Sequence, residues 1–334
     1  MSGVEGVRVG TTGAAADGEL VGRGAGGRAV PAWDVPLADP AVVRLEYGWI
    51  AYGTGPVSDG RAMPAALSRD LVTWEGIGNV LETLGPEAGE SYWAPEVCER
   101  DGAWWMYYSV GHGDRGHLLR VARADSPEGP FRDQGVVLTP DELFAIDASP
   151  CRLPDGRWWL FFARDVLEHE RAGTHLAGAE LLTPTTLGPV HEVLAPYADW
   201  QVFAHARDMY GQVLDWHTLE GPHVLVDGDL LLMTFSGGSW QGPGYRTAWA
   251  WSRAPEGPWT VPGAGEDVLL RTDEEFIGPG HDSCTSGPDG RPLIAFHAWD
   301  EAATGRYMHL RELAVGTDPP SLRVLPGGPG AAGA

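Results

Sequence analysis

The sequence predicts an all-β chain folded as a five-bladed β-propeller, with four-stranded antiparallel blades around a central axis. Three observations lead there. A unit recurs five times along the 334 residues, the signature of a repeat architecture. Each unit holds β-branched and aromatic runs bounded by Gly, Asp and Pro, which read as strands. Between the units no stretch of useful length carries a helical period.

Each unit is anchored on a glycine, usually Asp-Gly, ahead of an apolar run. The anchors are Tyr47-Gly48 before Trp49, Asp101-Gly102 before Trp104, Asp155-Gly156 before Trp158, Asp227-Gly228 before Leu230, and Asp289-Gly290 before Leu293. Asp-Gly supplies the positive backbone angles of a tight hairpin, so it joins a first strand to a second. A third strand follows and ends in related turn signals: Ser68-Arg69-Asp70-Leu71, Ser126-Pro127-Glu128-Gly129-Pro130 and Ala254-Pro255-Glu256-Gly257-Pro258. Segments such as residues 134–138 make the fourth. The anchoring glycines lie 54, 54, 72 and 62 residues apart, room for one four-stranded blade with its loops. The 15 tryptophans suit blades that pack face to face. One or two β-sandwiches are the alternative, but they leave the five-fold repeat without a reason.

A closed ring is one cooperative unit, expected over residues 31–326. Residues 1–30, rich in Gly and Ala, read as a flexible lead-in, and 327–334 as a frayed tail. A net charge of −23 repels nucleic acid and anionic membranes, so neither is expected as a partner. Cys98, Cys151 and Cys284 are odd in number and have no paired spacing, which reads as packed free thiols. No apolar stretch is long enough to span a membrane, and no signal peptide is visible; the expected location is therefore cytoplasmic.

Eight or nine residues before each anchoring glycine stand Asp39, Trp93, Asp147, Glu220 and His281. In a propeller these positions begin the strand nearest the axis and face the mouth of the channel. Singly, each has an ordinary reading: Asp39-Pro40 as a turn, Asp147 as a turn cap, Glu220 in loop-like company, Trp93 in a core. Their shared register favours a joint role. Three carboxylates at one mouth suit acid–base hydrolysis, in which one activates water, one protonates the leaving oxygen and a third tunes a pKa. Trp93 can stack on a sugar ring, and Glu96 is a fourth acidic candidate. His281 is a hydrogen-bonding support or a ligand to one Ca²⁺ whose shell waters complete; zinc lacks a second ligand at the required spacing. The long interval between the third and fourth units, with Trp200, Phe203 and Tyr210, is a candidate rim that contacts substrate. No organic cofactor is expected.

With these motifs in view, the sequence resembles glycoside hydrolase family 43, five-bladed propeller enzymes that act on arabinose- and xylose-containing glycans. The likeness runs from about residue 36 to 325 and rests on Leu37-Ala38-Asp39-Pro40, Tyr92-Trp93-Ala94-Pro95-Glu96-Val97, Ile146-Asp147-Ala148-Ser149-Pro150, Glu220-Gly221-Pro222 and Gly278-Pro279-Gly280-His281. The resemblance implies Asp39 as general base, Glu220 as general acid, Asp147 as the group that orients Glu220 and raises its pKa, and His281 beside a central metal. It also implies inversion of configuration. The expected function is an exo-acting inverting hydrolase that releases pentose, foremost α-L-arabinofuranose, from short oligosaccharides. The alternatives are β-xylosidase, endo-arabinanase and, more distantly, a glycoside phosphorylase or a non-catalytic sugar-binding propeller. No basic cluster that would hold phosphate stands beside the inner-strand motifs.

Overall fold

The computed structural model describes residues 27–328 apart from residue 264. The expected lead-in up to residue 26 and the expected tail from residue 329 lie outside the described residues. Among these, every regular element is a strand except one 3-10 turn, Asp199–Gln201.

The first sheet holds β1 (Ala38–Leu45), β2 (Gly48–Thr54), β3 (Arg61–Ser68) and β4 (Trp74–Glu82), in that order. The second repeats the pattern with β5 (Ser91–Arg100), β6 (Ala103–His112), β7 (Arg115–Ala124) and β8 (Arg132–Val137). Next come β9 (Ala145–Arg152), β10 (Trp158–Val166), β11 (Gly173–Thr183), β12 (Thr186–Leu187) and β13 (His191–Leu194). They share a ten-stranded sheet with β14 (Val202–Met209), β15 (Gln212–Asp227), β16 (Leu230–Gly237), β17 (Arg246–Ser252) and β18 (Val268–Leu270). The two halves of that sheet join only where β11 and β15 run parallel, at Gly173 with His217 and Thr174 with Thr218. The last sheet is β19 (Gly280–Ser286), β20 (Pro292–Trp299), β21 (Arg306–Thr317) and β22 (Pro320–Val324). All other pairings between these strands are antiparallel, as hairpin connections require. Asp101 (φ 56°) and Gly102 (φ 73°) form the two-residue turn between β5 and β6 that Asp-Gly foretold.

Burial closes the molecule on itself. Tyr52 of the first sheet packs with Tyr108 and Phe131 of the second. Tyr107 and Val121 meet Leu160 and Phe162. Phe161 and Leu176 meet Leu219 and Phe235. Leu232 and Trp249 meet Ile294 and Phe296. Leu293 and Leu310 return to Trp49 and Ala51 of the first sheet. The first strands touch in the cyclic order β1, β5, β9, β15, β19, β1. The fully buried large side chains are mostly Tyr and Phe, with Trp216 the one tryptophan among the largest; the smaller rings fill the seams, and several tryptophans cover them at their edges. Cys98, Cys151 and Cys284 are free and buried, as expected. Burial pushes the Cys151 thiol up to about 12, so it packs as an apolar group.

Each of the five first strands carries an irregularity in its ladder, near its start in four and midway along the longer β15. The residues there are left-handed: Asp39 (φ 52°), Ala94 (48°), Asp147 (61°), Gly221 (56°) and His281 (47°). A left-handed residue in a bulge bends the strand and re-aims the side chain beside it. For a non-glycine residue that conformation costs roughly 1–2 kcal/mol, and four of these five are not glycine. The neighbouring sheet offsets the cost by capturing the backbone. Asp39 N–H donates to His297 Nδ1 (3.1 Å), Ala94 N–H to Thr54 Oγ1 (2.8 Å), Gly221 N–H to Asp147 Oδ2 (2.9 Å) and His281 N–H to Ser236 Oγ (2.7 Å). Each acceptor belongs to the preceding unit of the chain, or to the last unit in the case of Asp39. The same bonds that join the sheets therefore hold the inner-strand starts.

Candidate active site

The five bulges surround a cavity of about 140 Å³, lined by Asp39, Thr54, Trp93, Ile146, Asp147, Glu220, Trp240, His281 and Arg306. Asp39, Asp147, Glu220, Trp93 and His281 thus share one space, although they come from five different strands.

The structure resolves their register more finely than the repeat did. Asp39, Asp147 and His281 occupy the left-handed position itself, whereas Trp93 and Glu220 each precede it by one residue. The three at the bulge cluster tightly: His281 Nδ1 lies 3.5 Å from Asp39 Oδ1 and 3.9 Å from Asp147 Oδ2. Proline at the next position marks the true register in three units, Asp39-Pro40, Ala94-Pro95 and Gly221-Pro222, a signal that counting back from the glycines passes over.

Asp39 is 8 % exposed. Burial pushes its carboxyl up, but His281, Arg306 and His297 outweigh burial and hold it well below the usual carboxylate range. Arg306 donates from its guanidinium to Asp39 Oδ1 at 3.2 Å. Burial lowers His281 and lowers His297 to about 4, so at neutral pH Arg306 is the lasting positive charge beside Asp39. Glu220 behaves oppositely. Burial, helped by repulsion from Asp39, raises it to about 7 against the opposing Tyr245 hydrogen bond and Arg306. Tyr245 donates its hydroxyl to Glu220 Oε1 at 2.6 Å. Asp147 is also raised well above its ordinary value, by burial first and then by Glu220 and Asp39. The site therefore sets an Asp39 whose carboxyl is pushed down against two carboxyl groups that are pushed up, the separation that distinguishes a base from an acid. The repulsion on Glu220 comes from Asp39; Asp147 acts on it through the backbone, by accepting the N–H of Gly221, the next residue.

Arg306, Trp240, Tyr245 and His297 escaped the sequence reading as site residues. Arg306 lies under the face of Trp240 (4.6 Å to the ring centroid), and Trp240 stacks on Trp299 at 6.2 Å with 13° between planes. Tyr245 stacks on His297 at 5.8 Å and 8°. Gly280 permits that approach, because a Cβ at this position would collide with the Tyr245 ring. Arg306, Tyr245 and His297 sit on later strands of their units or in connecting loops, where no repeat flags them.

Three residues expected to bind substrate are not among the lining of this cavity. Glu96 lies beyond the bulge of β5 and pairs with His223 Nδ1 at 3.2 Å. Trp200 packs against Gly237 and under Arg246, 5.4 Å from its centroid. Phe203 lies under Arg207, at 4.7 Å. An arginine thus covers one face of each ring. Trp93 lines the cavity, and one of its faces stacks on His117 at 3.7 Å and 20°.

Among the described residues no group of three or more His, Cys, Asp or Glu side chains is arranged to hold a metal ion. A calcium ion beside His281 would have one ring nitrogen from the protein and would draw most of its shell from water.

The profile of the glycosyl hydrolases family 43 matches residues 30–317. The chain belongs to that family. It is accordingly a glycoside hydrolase, as the motifs implied. It is 24% identical over 291 residues to extracellular endo-α-(1→5)-L-arabinanase 1 of Bacillus subtilis, covering 80% of this chain and 82% of that protein. It is 24% identical over 279 residues to an extracellular exo-α-(1→5)-L-arabinofuranosidase of Streptomyces avermitilis, covering 78% of this chain and 54% of that one. Its fold matches the crystal structure of a thermostable family-43 glycoside hydrolase with a TM-score of 0.75 over 88% of this chain and 94% of that chain, at 24% identity. The expectation of a cytoplasmic enzyme is corrected by these relatives: both are named extracellular proteins. Among the described residues no helix is long and apolar enough to cross a membrane.

Proposed function

We propose that the family 43 chain is an exo-acting, inverting α-L-arabinofuranosidase on a five-bladed propeller. The observation that carries the chemistry is the opposed titration of Asp39 and Glu220 in one cavity. The low-pKa Asp39 takes a proton from water as that water attacks the anomeric carbon. Glu220, protonated up to about 7, gives its proton to the departing oxygen. Asp147 holds the peptide that follows Glu220 and so aims the acid. Arg306 keeps Asp39 ionised, and the free face of Trp93 takes the apolar side of a sugar ring. In an inverting site the two carboxyl groups stand about 6.5–9.5 Å apart, with room for the water between them. Five blades are supported by the five bulged first strands, by their cyclic contacts and by the single parallel seam inside the ten-stranded sheet.

The size of the cavity supports the exo mode. At about 140 Å³ it falls well below the roughly 300–1,000 Å³ of sites that enclose drug-sized ligands, so it takes one sugar ring, not a stretch of chain. Arabinose is favoured because the names of both relatives specify it. The test is a panel of para-nitrophenyl pentosides together with linear arabino-oligosaccharides, with products followed by NMR. The expected result is turnover of the α-L-arabinofuranoside, release of single arabinose units and initial appearance of the β-anomer. Release of larger fragments from the start would establish an endo mode, and retention of the anomer would overturn the two-carboxylate roles.

The pH profile of kcat/KM follows from the same groups. Activity needs Asp39 ionised and Glu220 protonated, so the acid limb should lie below the ordinary carboxylate range and the alkaline limb near 7. Tyr245 favours the Glu220 carboxylate by donating to it. Tyr245→Phe should therefore move the alkaline limb to higher pH and leave the acid limb in place; an unmoved alkaline limb would show that another group sets it.

A calcium ion beside His281 belongs to the same proposal. When bound, it would add positive charge next to Asp39 and Asp147. Chelation should lower Tm or activity, and added calcium should restore it. If neither changes, His281 serves as a hydrogen-bonding neighbour of the two aspartates.

A further inference from the structure

The ladder between first and second strands slips in the same way in every unit. Three residues of the first strand stand opposite two of the second, in the intervals from Ala38 to Ala41, Trp93 to Glu96, Ile146 to Ser149, Glu220 to His223 and Gly280 to Ser283. Pairing thus resumes at five equivalent positions: Ala41, Glu96, Ser149, His223 and Ser283. Three of them meet. His223 Nδ1 lies 3.2 Å from Glu96 Oε1 and 3.5 Å from Ser149 Oγ. A carboxylate only accepts, so Nδ1 carries the hydrogen. The bond joins strands that are not neighbours: Glu96 stands on β5 and His223 on β15, with β9 between them in the cyclic order.

The side chains of Glu96 and His223 are only 18% and 16% exposed. Burial works against a charged imidazole, but Glu96, helped by Asp282, outweighs it and raises His223 above its ordinary range. What the pair holds is the bulge that presents Glu220. Of the five left-handed residues, Gly221 alone is a glycine, the residue with the most backbone freedom, so this bulge is the softest of the five. Asp147 secures one side of it by accepting the Gly221 N–H at 2.9 Å. The other side ends at His223. Pro222 between them has a fixed φ, so a displacement of His223 passes to Gly221 and on to Glu220. Ser283 clamps the bulge of Asp39 in a similar way: its hydroxyl donates to Pro40 O at 2.8 Å and accepts the Val42 N–H at 3.1 Å.

We infer that Glu96 and His223 are positioning residues for the general acid: a strut across the ring of first strands that fixes the peptide following Glu220 and so aims its carboxyl at the departing oxygen. This rests on the reading of Glu220 as the acid. Neither residue lines the cavity, so the pair acts through the backbone of β15 and not on the substrate. With the strut removed, the site binds substrate as before and turns it over slowly, and the deficit appears only where the leaving group needs a proton.

The experiment replaces the pair by apolar residues, Glu96→Met together with His223→Leu in one chain, because such an exchange of a buried ion pair is often neutral or stabilising. Glu96→Gln is made alongside and keeps an acceptor for Nδ1–H. Both are assayed on linear arabinotriose and on a dinitrophenyl α-L-arabinofuranoside, and Tm is measured. The double variant is expected to hold its Tm and to lose about 10- to 100-fold in kcat on the trisaccharide, the scale of a misplaced catalytic group, with KM near the parental value. It should turn over the aryl glycoside at close to the parental kcat/KM, and Glu96→Gln should keep most of the trisaccharide activity. Parental rates on both substrates, equal losses on both, or a loss through KM alone would overturn the strut. So would a collapse of Tm in both variants, which would make the pair a prop of the fold only. Glu220→Ala on the same two substrates reads the acid assignment separately: equal losses there overturn that assignment, whereas a selective loss there with an insensitive double variant overturns the strut alone.

Discussion

Glu220→Ala is expected to lower kcat/KM on an arabino-oligosaccharide by about 10²–10⁴-fold, the usual contribution of a positioned general acid. A dinitrophenyl arabinofuranoside should lose far less. A departing sugar alkoxide is a poor leaving group and needs the proton, whereas dinitrophenolate leaves as a stable anion. The alkaline limb near 7 should vanish along with the acid, because Glu220 is the group that burial and Asp39 push up to about 7. The variant must be shown to fold, since Tyr245 loses the acceptor it holds at 2.6 Å; Glu220→Gln, which retains an acceptor, serves as the control. Equal losses on the two substrates would remove Glu220 from the role of acid.

The second large effect concerns Asp39. Asp39→Asn should lose both substrates by about 10²–10⁴-fold, because water must be activated whatever the leaving group. Azide, a nucleophile that needs no deprotonation, should restore turnover and give a glycosyl azide of inverted configuration. Asn is preferred to Ala here because Arg306 stands against Asp39 in a largely buried pair. Removing one partner of such a pair outright typically costs about 3–5 kcal/mol, which would confuse folding with chemistry. Losing the charge of Asp39 also removes the repulsion that raises Glu220, so the residual alkaline limb should move to lower pH. A loss confined to the oligosaccharide, with no rescue by azide, would reverse the two roles.

Asp39, Asp147 and His281 were legible in the chain because a local pattern carries them. Each stands at a fixed distance before a turn glycine, at the place where the first strand bends through a left-handed residue. Glu220 and Trp93 were legible as members of the group, but their offset by one residue was not, because counting from a glycine cannot see which residue the bulge absorbs. Glu96 stands outside the cavity lining for a related reason. Lying beyond the bulge, it is turned to His223, 127 residues away in the chain. Trp200 and Phe203 read as substrate platforms in the sequence, which does not show that Arg246 and Arg207 each take one face of them.

By itself the sequence determined the strands, the hairpin turns, the repeat and the family, since these depend on alternation, turn chemistry and motifs within a few residues. Only the tertiary structure decided the electrostatics of the site. Arg306 reaches Asp39 across 267 residues and His297 across 258, because the last sheet closes against the first. Tyr245 meets Glu220 only because Gly280 on the next sheet leaves space for its ring. A carboxyl group's pKa depends on which charges and donors share its buried volume, and closing the chain on itself is what brings them there.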